Sequence, residues 1–172
     1  KNHKYIIDAM DILEKKKIDI NFVFCGAEKN NLKFINRIIY EKKLNKKFFI
    51  FNYITDEKVI ALYKHCMALV MPTYVARSTL PLYEAFYFRK PIFYSKDVLD
   101  RDIEKFITSI DLSNPRDLSD KIEILISNPS NFNDKIVSGL ELYNKNCSED
   151  LFLDNYRKIL DEYKYLSERW EK

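Results

Sequence analysis

No apolar run in this sequence is long enough to cross a bilayer, no leader pattern opens it, and cysteine is scarce. Cys25, Cys66 and Cys147 are odd in number and far apart, with no C-x-x-C pair and no metal-ligand spacing to His3 or His65. That excludes a disulfide framework and a zinc-type cluster, and a reducing compartment, the cytoplasm, is expected. Cys25 inside an apolar run and Cys66 at the end of a helical pattern are expected to be small core residues, not nucleophiles. An excess of one charge is also lacking. The 29 basic and 26 acidic residues leave a net charge of +3, which excludes the concentrated basic patch of a nucleic-acid binder. Glycine occurs only twice. Twelve tyrosines and twelve phenylalanines in a Lys/Ile/Asn-rich background are a compositional bias, not evidence for an aromatic platform. There is no internal repeat and no low-complexity linker.

What is present is an alternation of short apolar runs and helical patterns in 172 residues, about the size of one domain. Residues 2–16 place Tyr5, Ile6, Ala9, Met10 and Leu13 at helical spacing. Ile20 to Cys25 reads as a buried strand closed by Gly26, whose missing side chain permits a sharp turn and close approach. A helix from Leu32 carries Ile35, Ile38, Ile39 and Leu44, and Phe48 to Phe51 is the next strand. Thr55 is placed to cap a helix with Val59, Ile60, Leu62 and Tyr63 on its buried side. Met67 to Met71 is continuously apolar, as suits a strand covered on both faces, and Pro72 stops it. Pro81 suits the first turn of a following helix, and Ile92 to Tyr94 is again a strand. Residues 97–106 are charged and irregular, and Phe106 to Leu112 reads as an edge strand. Asn114-Pro115 opens a helix with Leu118, Ile122, Leu125 and Ile126 on one face, which Asn128-Pro129 ends. Two more helices follow, over 131–145 and from the cap Ser148 onward. In the last, Leu151, Phe152, Tyr156, Ile159, Leu160 and Tyr163 are expected to face inward.

Strands separated by helical crossovers predict a doubly wound α/β fold, a parallel sheet with helices on both faces. In such sheets ligands bind at the carboxyl ends of the strands. That rim collects the Gly26 turn, the Asn52-Tyr53-Ile54 turn and the loop between Pro72 and Pro81. The amino end of the helix after this loop favours an anion, and Arg77, Ser78 and Thr79 can add donors to it.

The succession KNHKYIIDAM, FVFCG, FFIFNYITDEKVIALYKHC, ALVMPTYVARSTLPLYEAF and KPIFYS resembles the carboxy-terminal, donor-binding domain of retaining glycosyltransferases of the GT-B fold, the group 1 or family-four class. The match in order and spacing runs from Lys1 to about Asn128. It implies one nucleotide-sugar-binding domain over 1–172, with a terminal helix at 148–172, forming the carboxy-terminal half of a two-domain enzyme. The reaction implied is transfer of a hexose from a nucleoside-diphosphate sugar to the hydroxyl of a saccharide or lipid-linked acceptor, in cell-envelope polysaccharide or glycolipid synthesis. The expected partners are that donor, the acceptor and the amino-terminal domain of the same protein, with no nucleic acid, no cofactor and no metal. The expected place is the cytoplasm, with peripheral contact at the inner membrane face.

By the same resemblance Glu84 binds the donor ribose, since a carboxylate accepts two hydrogen bonds from a vicinal diol. The plainer account is a glutamate favoured by the dipole of its helix, worth about 0.3–1 kcal/mol. Lys1 matches the lysine that contacts the diphosphate, Gly26 the glycine beside the phosphates, and Tyr53 and Ile54 the turn that reads the base. Ser78, Thr79 and Leu80 surround the diphosphate, and Lys1 and Arg77 stabilise the leaving group. Arg77 could equally hold an acidic group on the sugar, or be a solvated loop arginine. Two features depart from the family. Its second glutamate is replaced by Ala76, and its glycine-rich segment by Arg77-Ser78-Thr79. Ala76 leaves open a non-catalytic nucleotide-sugar-binding module, and a nucleotide-sugar epimerase is a further alternative. Asp100-Arg101-Asp102 spells a D-x-D pattern but reads as a solvated loop.

Overall fold

The computed structural model describes residues 2–26, 31–75, 79–96 and 101–170. The first helix, α1 (His3–Lys15), is capped by Asn2, whose side-chain oxygen accepts from the Tyr5 N–H. It buries Tyr5, Ile6, Ile7, Ala9, Met10 and Leu13 along one face. Chain order continues with β1 (Phe22–Cys25), α2 (Leu32–Glu41), β2 (Phe48–Phe51), α3 (Asp56–His65), β3 (Leu69–Met71), α4 (Leu80–Tyr87) and β4 (Ile92–Ser95). After these come α5 (Arg101–Glu104), β5 (Thr108–Ile110), α6 (Pro115–Ser127), a 3-10 turn Pro129–Phe132, α7 (Asn133–Asn146) and α8 (Glu149–Trp170).

Every strand pairing among the described residues is parallel, so this is the α/β architecture that the alternation predicts. The ladders form two groups. β1 pairs with β2, Phe22 opposite Phe48 and Cys25 opposite Phe51. β4 lies between β3 and β5, Phe93 opposite both Val70 and Thr108. One hydrophobic cluster draws on both groups, bringing Phe22 and Phe48 of the first together with Phe93 and Ile110 of the second, under α1 and α6. A second cluster fills the space between β4 and the α4–α7 pair. There α7 approaches α4 through Gly139, where an added Cβ would collide with the Phe86 ring.

Burial separates the strands. All four residues of β4 are buried, as expected for a central strand. In β1 and β2 the side chains alternate, and Val23, Cys25, Phe49 and Phe51 form the more open face. Cys25 is therefore exposed, contrary to its expected place in the core, because strand periodicity puts it beside Val23 and not beside Phe24. Cys66 is only half-buried.

Four further expectations are corrected. Met67 is 52% exposed and precedes β3, which is three residues long. Ile60 and Ile126 turn toward solvent, at the edges of apolar stripes wider than the surface they meet. Leu44 is buried but lies in the turn after α2, not on the helix. The largest correction concerns α8. Phe152, Tyr156, Ile159, Leu160 and Tyr163 are all exposed, and only Leu151 is half-buried. An amphipathic pattern specifies that a helix has an apolar face but not what that face meets. Ser148 does cap this helix, its hydroxyl accepting from the Leu151 N–H at 3.2 Å.

Candidate functional site

The carboxyl ends of the strands form a rim built from the Gly26 turn, residues 52–54, residues 73–75 and the start of α4. Gly26 adopts φ +149°, a conformation that L side chains seldom take, while its N–H donates to the Phe51 carbonyl at 3.1 Å. Backbone geometry, not crowding, thus demands glycine there, since among the described residues nothing lies within 4 Å of where a Cβ would sit. Tyr53 is 84% exposed and Ile54 half-buried. Tyr53 also closes one end of an open groove of about 790 Å³ along α2 and β2, which Asn36, Tyr40, Asn45 and Asn52 share. Thr55 occupies the N-cap position of α3 in an extended conformation without accepting a cap hydrogen bond. Its hydroxyl instead donates to the Glu57 carboxylate and draws that group's pKa down.

The loop leaving β3 is anchored from three directions. The Thr73 N–H donates to Ser95 Oγ at 2.7 Å, and that hydroxyl in turn donates to the Met71 carbonyl at 3.4 Å. Both Thr73 and Ser95 are buried polar residues, each satisfied by the other strand's end. Thr73 Oγ1 donates to the Val75 carbonyl, closing a tight turn. From the start of α1, the Asn2 N–H donates to the Pro72 carbonyl at 2.7 Å and Asn2 Nδ2 to the Tyr74 hydroxyl at 2.8 Å.

After the loop, Thr79 and Leu80 are exposed at the amino end of α4, and Pro81 lies in the helix's first turn, where its missing N–H costs nothing. Glu84 follows one turn later and is half-buried. Its Oε2 accepts a 2.8 Å hydrogen bond from the Tyr63 hydroxyl of α3, and the Pro81 carbonyl lies 3.3 Å from that same hydroxyl. The Tyr63 ring stacks on Phe88 at 5.4 Å with the planes 3° apart. Burial pushes the Tyr63 phenol well above its ordinary pKa, and the adjacent Glu84 carboxylate adds to the shift.

On the opposite side of the same rim, Lys96 after β4 donates to Asp111 after β5 at 2.7 Å, and the Ser113 N–H and hydroxyl both donate to the other Asp111 oxygen. These bonds hold the Asp111 carboxyl far below the usual carboxylate range.

Gly26, Tyr53, Ile54, Thr79, Leu80 and Glu84 thus belong to this rim or to the helix that starts on it. Lys1, Ala76, Arg77, Ser78 and Asp100, and the side chain of Asp102, lie outside the described residues. Among the described residues no group of three His, Cys, Asp or Glu side chains is placed to hold a metal ion. Sequence reasoning missed Asn2, Thr73 and Ser95, whose small polar side chains carry no pattern, and gave Tyr63 only a packing role.

The family model for group 1 glycosyl transferases matches residues 1–139. No curated protein matches the chain. Among solved structures it is similar to the C-terminal domain of LpcC, a group 1 glycosyl transferase from Francisella tularensis, with a TM-score of 0.72 and 19% identity over 84% of this chain and 78% of that one. It is also similar to HepE from Anabaena, solved with UDP and glucose, with a TM-score of 0.78 and 12% identity over 92% of this chain and 44% of HepE. Sucrose-phosphate synthase from Thermosynechococcus elongatus gives a TM-score of 0.76 at 15% identity, over 94% of this chain and 43% of that enzyme. The chain therefore spans under half the length of the last two.

Proposed function

The chain belongs to the group 1 glycosyl transferase family, and from that premise we propose that it is the donor-binding half of a retaining hexosyltransferase. The substrate is a nucleoside-diphosphate sugar, and the observation that carries the reading is the placement of Glu84. It is a half-buried carboxylate in the helix that follows the rim loop, held through one oxygen by Tyr63. In this reading Glu84 accepts from the two ribose hydroxyls, Tyr53 and Ile54 face the base, and Gly26 allows the backbone to pass beside the phosphates.

The chemical difficulty is the charge that gathers on the departing diphosphate as the glycosidic bond lengthens. The amino end of α4 at Thr79 and Leu80 supplies aligned dipoles, Ser78 a hydroxyl, and Lys1 and Arg77 positive charge, so no divalent ion is required. In this reading the acceptor is bound, and the remaining catalytic groups are contributed, by an amino-terminal domain, so this chain alone binds donor without turning it over. HepE, of similar fold, was solved with UDP and glucose, which supports a nucleotide-sugar as the donor. A saccharide or lipid-linked acceptor in envelope polysaccharide or glycolipid synthesis completes the proposal, with the protein in the cytoplasm and resting against the inner membrane face. No helix among the described residues is long and apolar enough to cross a membrane.

Ala76, standing where the family carries its second glutamate, favours a second reading, a module that binds nucleotide-sugar without chemistry. Full-length protein incubated with labelled nucleotide-sugars separates the two. Transfer or slow donor hydrolysis is expected from the enzyme, binding alone from the module, and an isomerised donor would exclude both.

A further inference from the structure

Tyr63 stands out among twelve tyrosines because its hydroxyl meets a carboxylate instead of solvent. The ring comes from α3, the carboxylate from α4, and the same hydroxyl lies beside the Pro81 carbonyl in the first turn of α4. Parallel stacking on Phe88 fixes the ring plane. Burial, and after it the neighbouring Glu84 charge, oppose loss of the phenol's proton. The bond therefore has one direction, from Tyr63 to Glu84. Among the described residues, Glu84 Oε1 takes no hydrogen bond.

We propose that Tyr63 is a positioning residue that holds the Glu84 carboxylate in the orientation needed to accept the two hydroxyls of a donor ribose. This rests on the assignment of Glu84 to the ribose. Each carboxylate oxygen has two lone-pair positions. Oε2 can keep Tyr63 on one and take a ribose hydroxyl on the other, while Oε1 takes the second hydroxyl. A free glutamate side chain would have to give up its rotamer freedom when the nucleotide binds, whereas one already pinned through Oε2 has lost it on folding. Selectivity for ribose is thus set in part by a residue that never touches the nucleotide.

The test uses full-length protein and calorimetric titration with whichever of UDP, GDP and ADP binds most tightly, beside its 2′,3′-dideoxy counterpart. Tyr63→Phe keeps the ring and its stack on Phe88, so the fold is retained, and an unchanged Tm checks this. Loss of one charge-assisted hydrogen bond is expected to weaken binding of the ribonucleotide about tenfold. Binding of the dideoxy analogue is expected to stay unchanged. Glu84→Gln is expected to abolish the preference for ribose, and Tyr63→Phe added to Glu84→Gln to cost nothing more. Equal weakening of both nucleotides by Tyr63→Phe, or an undiminished preference for ribose, would overturn the positioning role while leaving Glu84 in place. A preference that survives Glu84→Gln, or no binding of any of the three nucleotides, would overturn the ribose assignment itself and the inference with it.

Discussion

Asn2 Nδ2 donates to the Tyr74 hydroxyl across 2.8 Å, joining the start of α1 to the loop after β3, 72 positions away in sequence. The same residue caps α1 through its side-chain oxygen and donates its own N–H to Pro72. One asparagine thus ties the amino end of α1 to the rim. Asn2→Ala is expected to cost about 1–2 kcal/mol, the worth of a lost cap, and to weaken nucleotide binding. Tyr74→Phe removes only the tie to the loop and is expected to leave Tm nearly unchanged. Urea denaturation of the two variants measures the difference, and equal destabilisation by both would contradict it.

Gly139 is the second glycine, and its place is set by packing. A methyl group there would collide with the Phe86 ring, which is itself buried between α4 and α7. Gly139→Ala is expected to destabilise by about 1–3 kcal/mol through overpacking, despite alanine's better helix propensity. Pairing it with Phe86→Leu should recover part of that loss, and additive losses in the double variant would show that the two residues are not coupled.

The three thiols should differ in reactivity. Cys25 and Cys147 are exposed, while Cys66 is half-buried and its thiol is pushed above its ordinary pKa by burial. A colorimetric disulfide reagent is expected to label two cysteines quickly in the folded chain and the third only slowly or after unfolding. Three equal rates would contradict the placement of Cys66.

Acid should unfold the protein through a small set of carboxylates. The pKa of Asp111 is drawn down by Lys96 and Ser113, and that of Asp19 by Lys47. Asp11 is partly buried, which opposes ionisation, but Lys15 and Lys42 outweigh this and lower it as well. A carboxylate with a depressed folded pKa contributes stability that is complete above its unfolded value, near 4, and is lost as pH falls through the folded value. Stability is therefore expected to be flat from pH 7 to about 5 and to decline below about 4. In denaturant titrations at several pH values, Asp111→Asn should flatten that decline. A decline already complete above pH 5 would point to histidine and contradict the assignment.

Periodicity made the order of strands and helices legible, since Phe48 to Phe51 and Pro115 to Ser127 are bounded by turn residues that leave little choice. The face each element turns to the core was less legible. Cys25 sits in an apolar run but on the open side of β1, and the apolar stripe of α8 lies exposed along with nearly all the rest of that helix. Both outcomes depend on what neighbours a face, which one segment's pattern does not encode. At the site, the end of a strand marked Gly26, whereas Glu84 stood out only through the family resemblance. Tyr63, Thr73 and Ser95 did not, because their roles arise from contacts 21 and 22 positions apart.

The central claim, that the rim binds a nucleoside diphosphate with Glu84 on its ribose, is tested most directly by a crystal structure of the full-length protein soaked with the nucleotide. The expected result is a ribose diol within hydrogen-bond reach of Glu84, Tyr63 still bonded to Oε2, and the diphosphate at the amino end of α4. A nucleotide bound elsewhere, or one bound at this rim with Glu84 still facing only Tyr63, would contradict it.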